Sequence, residues 1–177
     1  MGYSKLEKNL IDLMKEEQAK LGYRKEAVRL YYPLSSLNHL FDAEDSVDAM
    51  QARLIHFPED MTAKLGMLTV THKGDRFCFH IPEEGSEYVH EHMGANEFIK
   101  ELVEMLWQHG TTMEQIRALF DRHADGVICE NIDNGEFDYL LRFPESVGDP
   151  YYYCFKNEGC HIIYHRFLPE DYADFDF

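Results

Sequence analysis

Apolar positions recur at helical spacing in several stretches of the chain. In SKLEKNLIDLMKEEQAKLG, Leu6, Leu10, Leu13, Met14 and Leu21 form one stripe. Ser4 with Glu7 reads as a capping box, each side chain satisfying the other's open backbone N–H, and Gly22 stands where a C-terminal cap belongs. NEFIKELVEMLWQHG predicts a helix capped by Asn96 and closed by Gly110, with Ile99, Leu102, Val103 and Leu106 inward. TTMEQIRALFDRHADG repeats that grammar, with Thr112 and Gln115 as capping box and Ile116, Leu119, Phe120 and His123 on one stripe. Shorter helical patterns fall in SSLNHLF and SVDAMQARLIHF.

Elsewhere the period drops to two. AVRLYYP reads as a strand ended by Pro33. In GMLTVTHKGDRFCFHIP, a two-residue turn at Gly74-Asp75 sets Lys73 opposite Arg76 and His72 opposite Phe77. Leu68, Val70, Phe77, Phe79 and Ile81 then share a core face, with Thr69, Thr71, Cys78 and His80 on the other. GVICENIDNGEFDYLLRFP carries Asn-Gly, a strong hairpin signal, and a further hairpin is expected around Asn157-Glu158-Gly159. Hairpins beside helices, without parallel βαβ repetition, predict an α+β fold. Its antiparallel sheet is built from hairpins and packs against an N-terminal helix and a central helix pair. No Gly/Ser linker interrupts residues 1–177, so a single domain is expected. HFPED, HIPEE, RFPES and FLPED bracket two hairpin regions, 57–84 and 143–171. Duplication of a hairpin unit would produce this; the simpler and preferred reading is that Pro ends strands and an acidic or polar residue starts the next turn or helix.

Charge narrows the partners. Asp and Glu number 33 against 17 Lys and Arg, a net charge of −16. A phosphate backbone or an anionic membrane is therefore not an expected partner, and a basic protein is. No apolar run approaches the roughly 20 residues of a membrane span. The MGYSKLEKNL start has no signal core, and Leu6 stands where myristoylation wants Ser or Thr. Cys78, Cys129, Cys154 and Cys160 form no CxxC pair and read as reduced thiols, so a cytoplasmic location is expected.

The segment LEKNLIDLMKEEQAKLGYRKEAVRLYYPLSSLNHLF, Leu6 to Phe41, resembles a domain-of-unknown-function family of gut Clostridia with no assigned activity. The resemblance implies no catalytic residue, cofactor or partner.

Candidate chemistry concentrates in FHIPEEGSEYVHEHMG, Phe79 to Gly94, where His80, Glu83, Glu84, Glu87, His90, Glu91 and His92 crowd together. An acidic surface loop is the preferred reading. The metal alternative rests on His90, His92 and Glu87. If the segment is extended, His90 and His92 share a face; if it is helical they diverge, and Glu87, His90 and Glu91 align instead. There is no HExxH and no second Glu-x-x-His to complete a carboxylate-bridged pair. His161 and His165 stand too far apart on a strand to grip one ion, and His109 and His123 suit helix C-terminal turns. No nucleophile elbow, P-loop or dinucleotide fingerprint occurs. Cys160 and His161, as strand neighbours, are expected on opposite sides.

PYYYCF places Tyr151 and Tyr153 on one strand face and Tyr152 on the other, one face for the core and one available as a platform. The tail PEDYADFDF, with Tyr172, Phe175 and Phe177, is expected to pack back on its own sheet. The favoured function is a cytoplasmic acidic protein-binding module without catalytic activity or cofactor, recognising its partner through an aromatic sheet face with an acidic rim. The alternative is a metal-dependent, hydrolase-like enzyme using a divalent metal near residues 87–92. A small-ligand pocket between hairpin and helices is a third class.

Overall fold

A computed structural model describes residues 2–175, in which eight α-helices and two antiparallel sheets make an α+β fold. The chain divides into two units, the first ending at Glu97 and the second beginning at Phe98.

The first unit runs α1 (Ser4–Leu21), β1 (Val28–Pro33), α2 (Leu34–Phe41), α3 (Val47–Arg53), α4 (Phe57–Leu65), β2 (Thr69–Lys73), β3 (Arg76–Ile81) and α5 (Glu83–His92). Its sheet is ordered β1-β3-β2. The hairpin forms in the predicted register, with Lys73 opposite Arg76 and His72 opposite Phe77. Phe77, Phe79 and Ile81 point inward and are fully buried, as are Leu6, Leu10 and Met14 of α1 and Phe57 and Leu65 of α4. Edge-to-face contacts of Phe79 with Tyr32 (5.2 Å) and Phe57 (5.8 Å) add directionality to that burial.

The expected Ser4–Glu7 capping box does not form. Ser4 already lies inside α1, Tyr3 is the N-cap, and no side chain caps the helix end. Tyr3 is instead pinned from outside: its hydroxyl donates to the Arg53 carbonyl at 2.7 Å and its ring meets Phe57 at 5.1 Å. Glu7 is drawn to Lys64 of α4. Leu21, expected in the stripe, is 60% exposed in the last turn. Helix α4 has no counterpart in the expected elements, although Pro58 in its first turn, followed by Glu59 and Asp60, is a start signal. All four apolar-Pro-acid echoes in fact open helical turns: α4, α5, a 3-10 turn at Glu145–Val147, and the last helix of the second unit.

That second unit runs α6 (Glu97–Leu106), α7 (Met113–His123), β4 (Ile128–Asn131), β5 (Tyr139–Arg142), β6 (Tyr152–Asn157), β7 (Ile162–Phe167) and α8 (Pro169–Asp174). The strands form a meander in sequence order. Here the capping box is realised: the Thr112 N–H donates to Gln115 Oε1 at 2.9 Å, and the Gln115 N–H to Thr112 Oγ1 at 3.3 Å. Phe98, Phe120, Phe143, Tyr153 and Phe155 make an aromatic interior, with Phe98 and Phe120 rings 4.7 Å apart. The β4–β5 turn is not the two-residue Asn-Gly loop. Asn134 stands one place earlier, its Oδ1 accepting the N–H of Glu136 and of Phe137, while Gly135 adopts φ 92°.

Candidate functional site

The His/Glu cluster of Phe79 to Gly94 folds mainly as helix α5, not as the expected loop. The cause is a close approach. A Cβ on Gly85 would lie 2.5 Å from the Leu65 carbonyl oxygen and 2.6 Å from Ile81 Cγ2, so only glycine lets α5 dock there. Ser86 and Val89 are buried on the same side, and Gln18 of α1 donates to the Ser86 carbonyl at 3.0 Å.

Residues two apart on a helix point roughly 200° from one another, so His90 and His92 diverge. The His90 ring lies flat on Tyr23, with centroids 4.0 Å apart and planes 3° apart. Burial, reinforced by the Glu87 carboxylate, raises the pKa of the Tyr23 phenol. His92 leans on Tyr88 at 4.7 Å. Glu87 lies 4.0 Å and Glu83 3.7 Å from the Lys25 ammonium, which already gives these carboxylates a fixed positive neighbour. Among the described residues, no three His, Cys, Asp or Glu side chains are grouped so as to hold a metal. Tyr23 and Lys25 went unnoticed in the sequence because they lie about sixty residues from the groups they meet.

The remaining histidines and thiols are dispersed. His123 Nε2 sits 3.2 Å from Glu101 and its ring packs on Phe98 at 5.1 Å, a tie between α7 and α6. Cys160 and His161 do meet, contrary to expectation: both precede β7, in the turn, where strand alternation does not apply, and Sγ lies 3.2 Å from Nδ1. Cys160 is exposed, whereas Cys154 is buried and its thiol is pushed up to about 12.

The aromatic strand β6 serves two faces. Tyr153 and Phe155 enter the interior, where burial raises the Tyr153 pKa well above its ordinary value and Asp149 accepts its hydroxyl at 2.6 Å. The opposite face carries a second cluster, Phe137, Leu140, Cys154 and Phe167, with Ile132, Tyr152 and Tyr172 against it. The expected open platform is therefore partly occupied by the chain itself. Tyr172 of α8 meets Tyr152 at 5.5 Å, and Phe175 meets Phe167 at 5.3 Å; Phe177 lies outside the described residues. What stays exposed on or beside this face is Ile163 (47%), which stands opposite Lys156, and Phe175 (45%), which follows the Glu170, Asp171 and Asp174 of α8.

No helix among the described residues is long and apolar enough to cross a membrane. No curated protein and no solved structure matches the chain. The model of one family, a domain of unknown function named for an E. rectale gene description (DUF3877), matches residues 3–175. The resemblance seen over the first quarter thus extends along nearly all of the sequence, and the chain belongs to that family.

Proposed function

We propose that the chain is a cytoplasmic, non-catalytic protein-binding module that recognises a basic partner through the β7 side of its second unit. The observation that carries this reading is the exposed Phe175, set on Phe167 of β7 at the end of the acidic α8. Charge distribution supports it. From Phe98 onward the sequence holds sixteen Asp and Glu against six Lys and Arg; up to Glu97 the numbers are seventeen and eleven. An apolar anchor inside an acidic rim is the arrangement by which a surface gains both affinity and sign selectivity. Strand β7 is also a sheet edge, with backbone groups open to an added strand.

A photo-crosslinking residue at position 163, used in the native host, tests the proposal. Capture of one basic protein, abolished by Glu170→Lys with Asp171→Lys, is the expected result. Absence of any specific partner, with the purified protein an inert monomer, overturns it. The metal-dependent alternative at Glu87, His90 and His92 is decided separately, by elemental analysis of untagged protein. One metal per chain in the wild type, lost in the His90→Ala, His92→Ala double variant, would establish it over the binding module.

A further inference from the structure

The outward face of the first sheet reverses the sign of the molecule. Strand register lays out three rows: Arg29–His80–Thr69, Tyr31–Cys78–Thr71 and Pro33–Arg76–Lys73. None of these nine positions is acidic, and none is buried. Arg76 lies over the Tyr31 ring at 4.6 Å. Among the described residues, Arg29, Lys73 and Arg76 have no carboxylate partner. In a chain of net charge −16, three cations left without counter-ions on one open face are a local concentration of unused positive potential.

Beside this face runs an unpaired edge. Strand β2 bonds only to β3, and four of its five residues are exposed. Along its other side lies a groove of about 400 Å³, whose apolar lining is Leu54, Ile55, Pro58, Val70 and Phe77, with the polar Asp48, Gln51, Thr71 and His72 at its margins. Ile55 is 67% exposed. A strand added to β2 would sit roughly 4.8 Å away and send alternate side chains to opposite faces. One set would come beside Lys73, with Arg76, whose guanidinium lies over Tyr31 of β1, one strand further in. The other set would enter the groove, over Leu54, Ile55 and Val70.

We propose that β2 is a docking edge for an extended segment of another protein in which acidic and apolar residues alternate. The period of two follows from the strand, the acidic set from Lys73 on the edge itself and the positive face behind it, and the apolar set from the apolar part of the groove. A nucleic acid would offer the same sign but fits less well. Beyond this small face its further phosphates would meet the acidic remainder of the chain within roughly a Debye length of 8–10 Å. An acidic peptide confines its charge to the face. This surface belongs to the first unit and takes a partner of the opposite charge to that proposed for β7, so either proposal can fail alone.

The probe is a labelled short peptide alternating aspartate and leucine, titrated by fluorescence anisotropy into the full chain. Lysine–leucine and aspartate–serine peptides and a single-stranded DNA oligonucleotide serve as comparisons. The aspartate–leucine peptide is expected to bind at least about tenfold tighter than each of the others, a difference of about 1.4 kcal/mol. It should slow amide exchange over residues 69–73. Lys73→Glu with Arg76→Glu should weaken it at least about tenfold, and Ile55→Asp, on the groove side, should weaken it independently. The proposal is overturned if the lysine–leucine peptide binds as well, if affinity survives both variants, or if protection falls elsewhere. Tighter binding of the oligonucleotide would overturn it in favour of a nucleic-acid face, and absence of binding by every probe overturns it outright.

Discussion

The two units treat their sheets differently. In the first, three strands bury one face and leave the other open, polar and basic, with β2 as a bare edge. In the second, four strands bury an aromatic interior on one side and a smaller cluster on the other, and α8 lies against the latter. Both therefore leave a sheet edge, but the first sets a groove beside it, whereas the second sets the exposed Phe175 and the acidic α8 beside it. The comparison teaches that sheet content alone does not identify a binding surface. What matters is which face the chain has already covered with itself.

The largest test of this contrast is the aromatic interior of the second unit. Phe120 touches Phe98, Phe143, Tyr153 and Phe155 and is fully buried. Phe120→Ala should cost about 3–5 kcal/mol, read by denaturant unfolding, with exchange protection in β5 and β6 falling first. A loss below about 1 kcal/mol would mean this interior is not tightly packed. In the first unit the matching weak point is a residue with no side chain. Gly85→Ala should cost about 1–3 kcal/mol despite alanine's better helix propensity, because the new methyl meets the Leu65 carbonyl. A stabilised Gly85→Ala variant would show that α5 and α4 are not so close.

The smallest effect concerns acid. The Asn157 N–H donates to Asp138 at 2.8 Å, and this bond, with the Lys156 ammonium, holds its carboxyl below the usual aspartate range. A depressed folded-state pKa gives stability that is present above the ordinary aspartate value of 3.8 and is lost as pH falls through the folded value. Asp138→Asn should therefore be less stable than wild type at neutral pH, with the gap closing below that value. A gap that persists undiminished in acid would sink the assignment.

Legibility in the sequence tracked how local the deciding contact was. The 68–81 hairpin was readable because the Gly74-Asp75 turn fixes register, and register fixes every face. The same capping signature succeeded at Thr112 and failed at Ser4, where Tyr3 is anchored to Arg53 and Phe57 and Glu7 is taken by Lys64. Helix α5 was misread as a loop because Gly85-Ser86 lowers helix propensity, while the packing that favours the helix comes from Leu65 and Ile81. Of the site residues, the divergence of His90 and His92 followed once α5 was helical, but Tyr23 stacking on His90 carried no linear signal.

By itself the sequence determined the two periodicities, the positions of three hairpins and the total charge, since each depends on neighbours or on a plain sum. Only tertiary structure decided where the charge of either sign gathers. Arg29, Lys73 and Arg76 share a face because β1 pairs with β3 across more than forty residues of chain, and a sum over residues holds no positions.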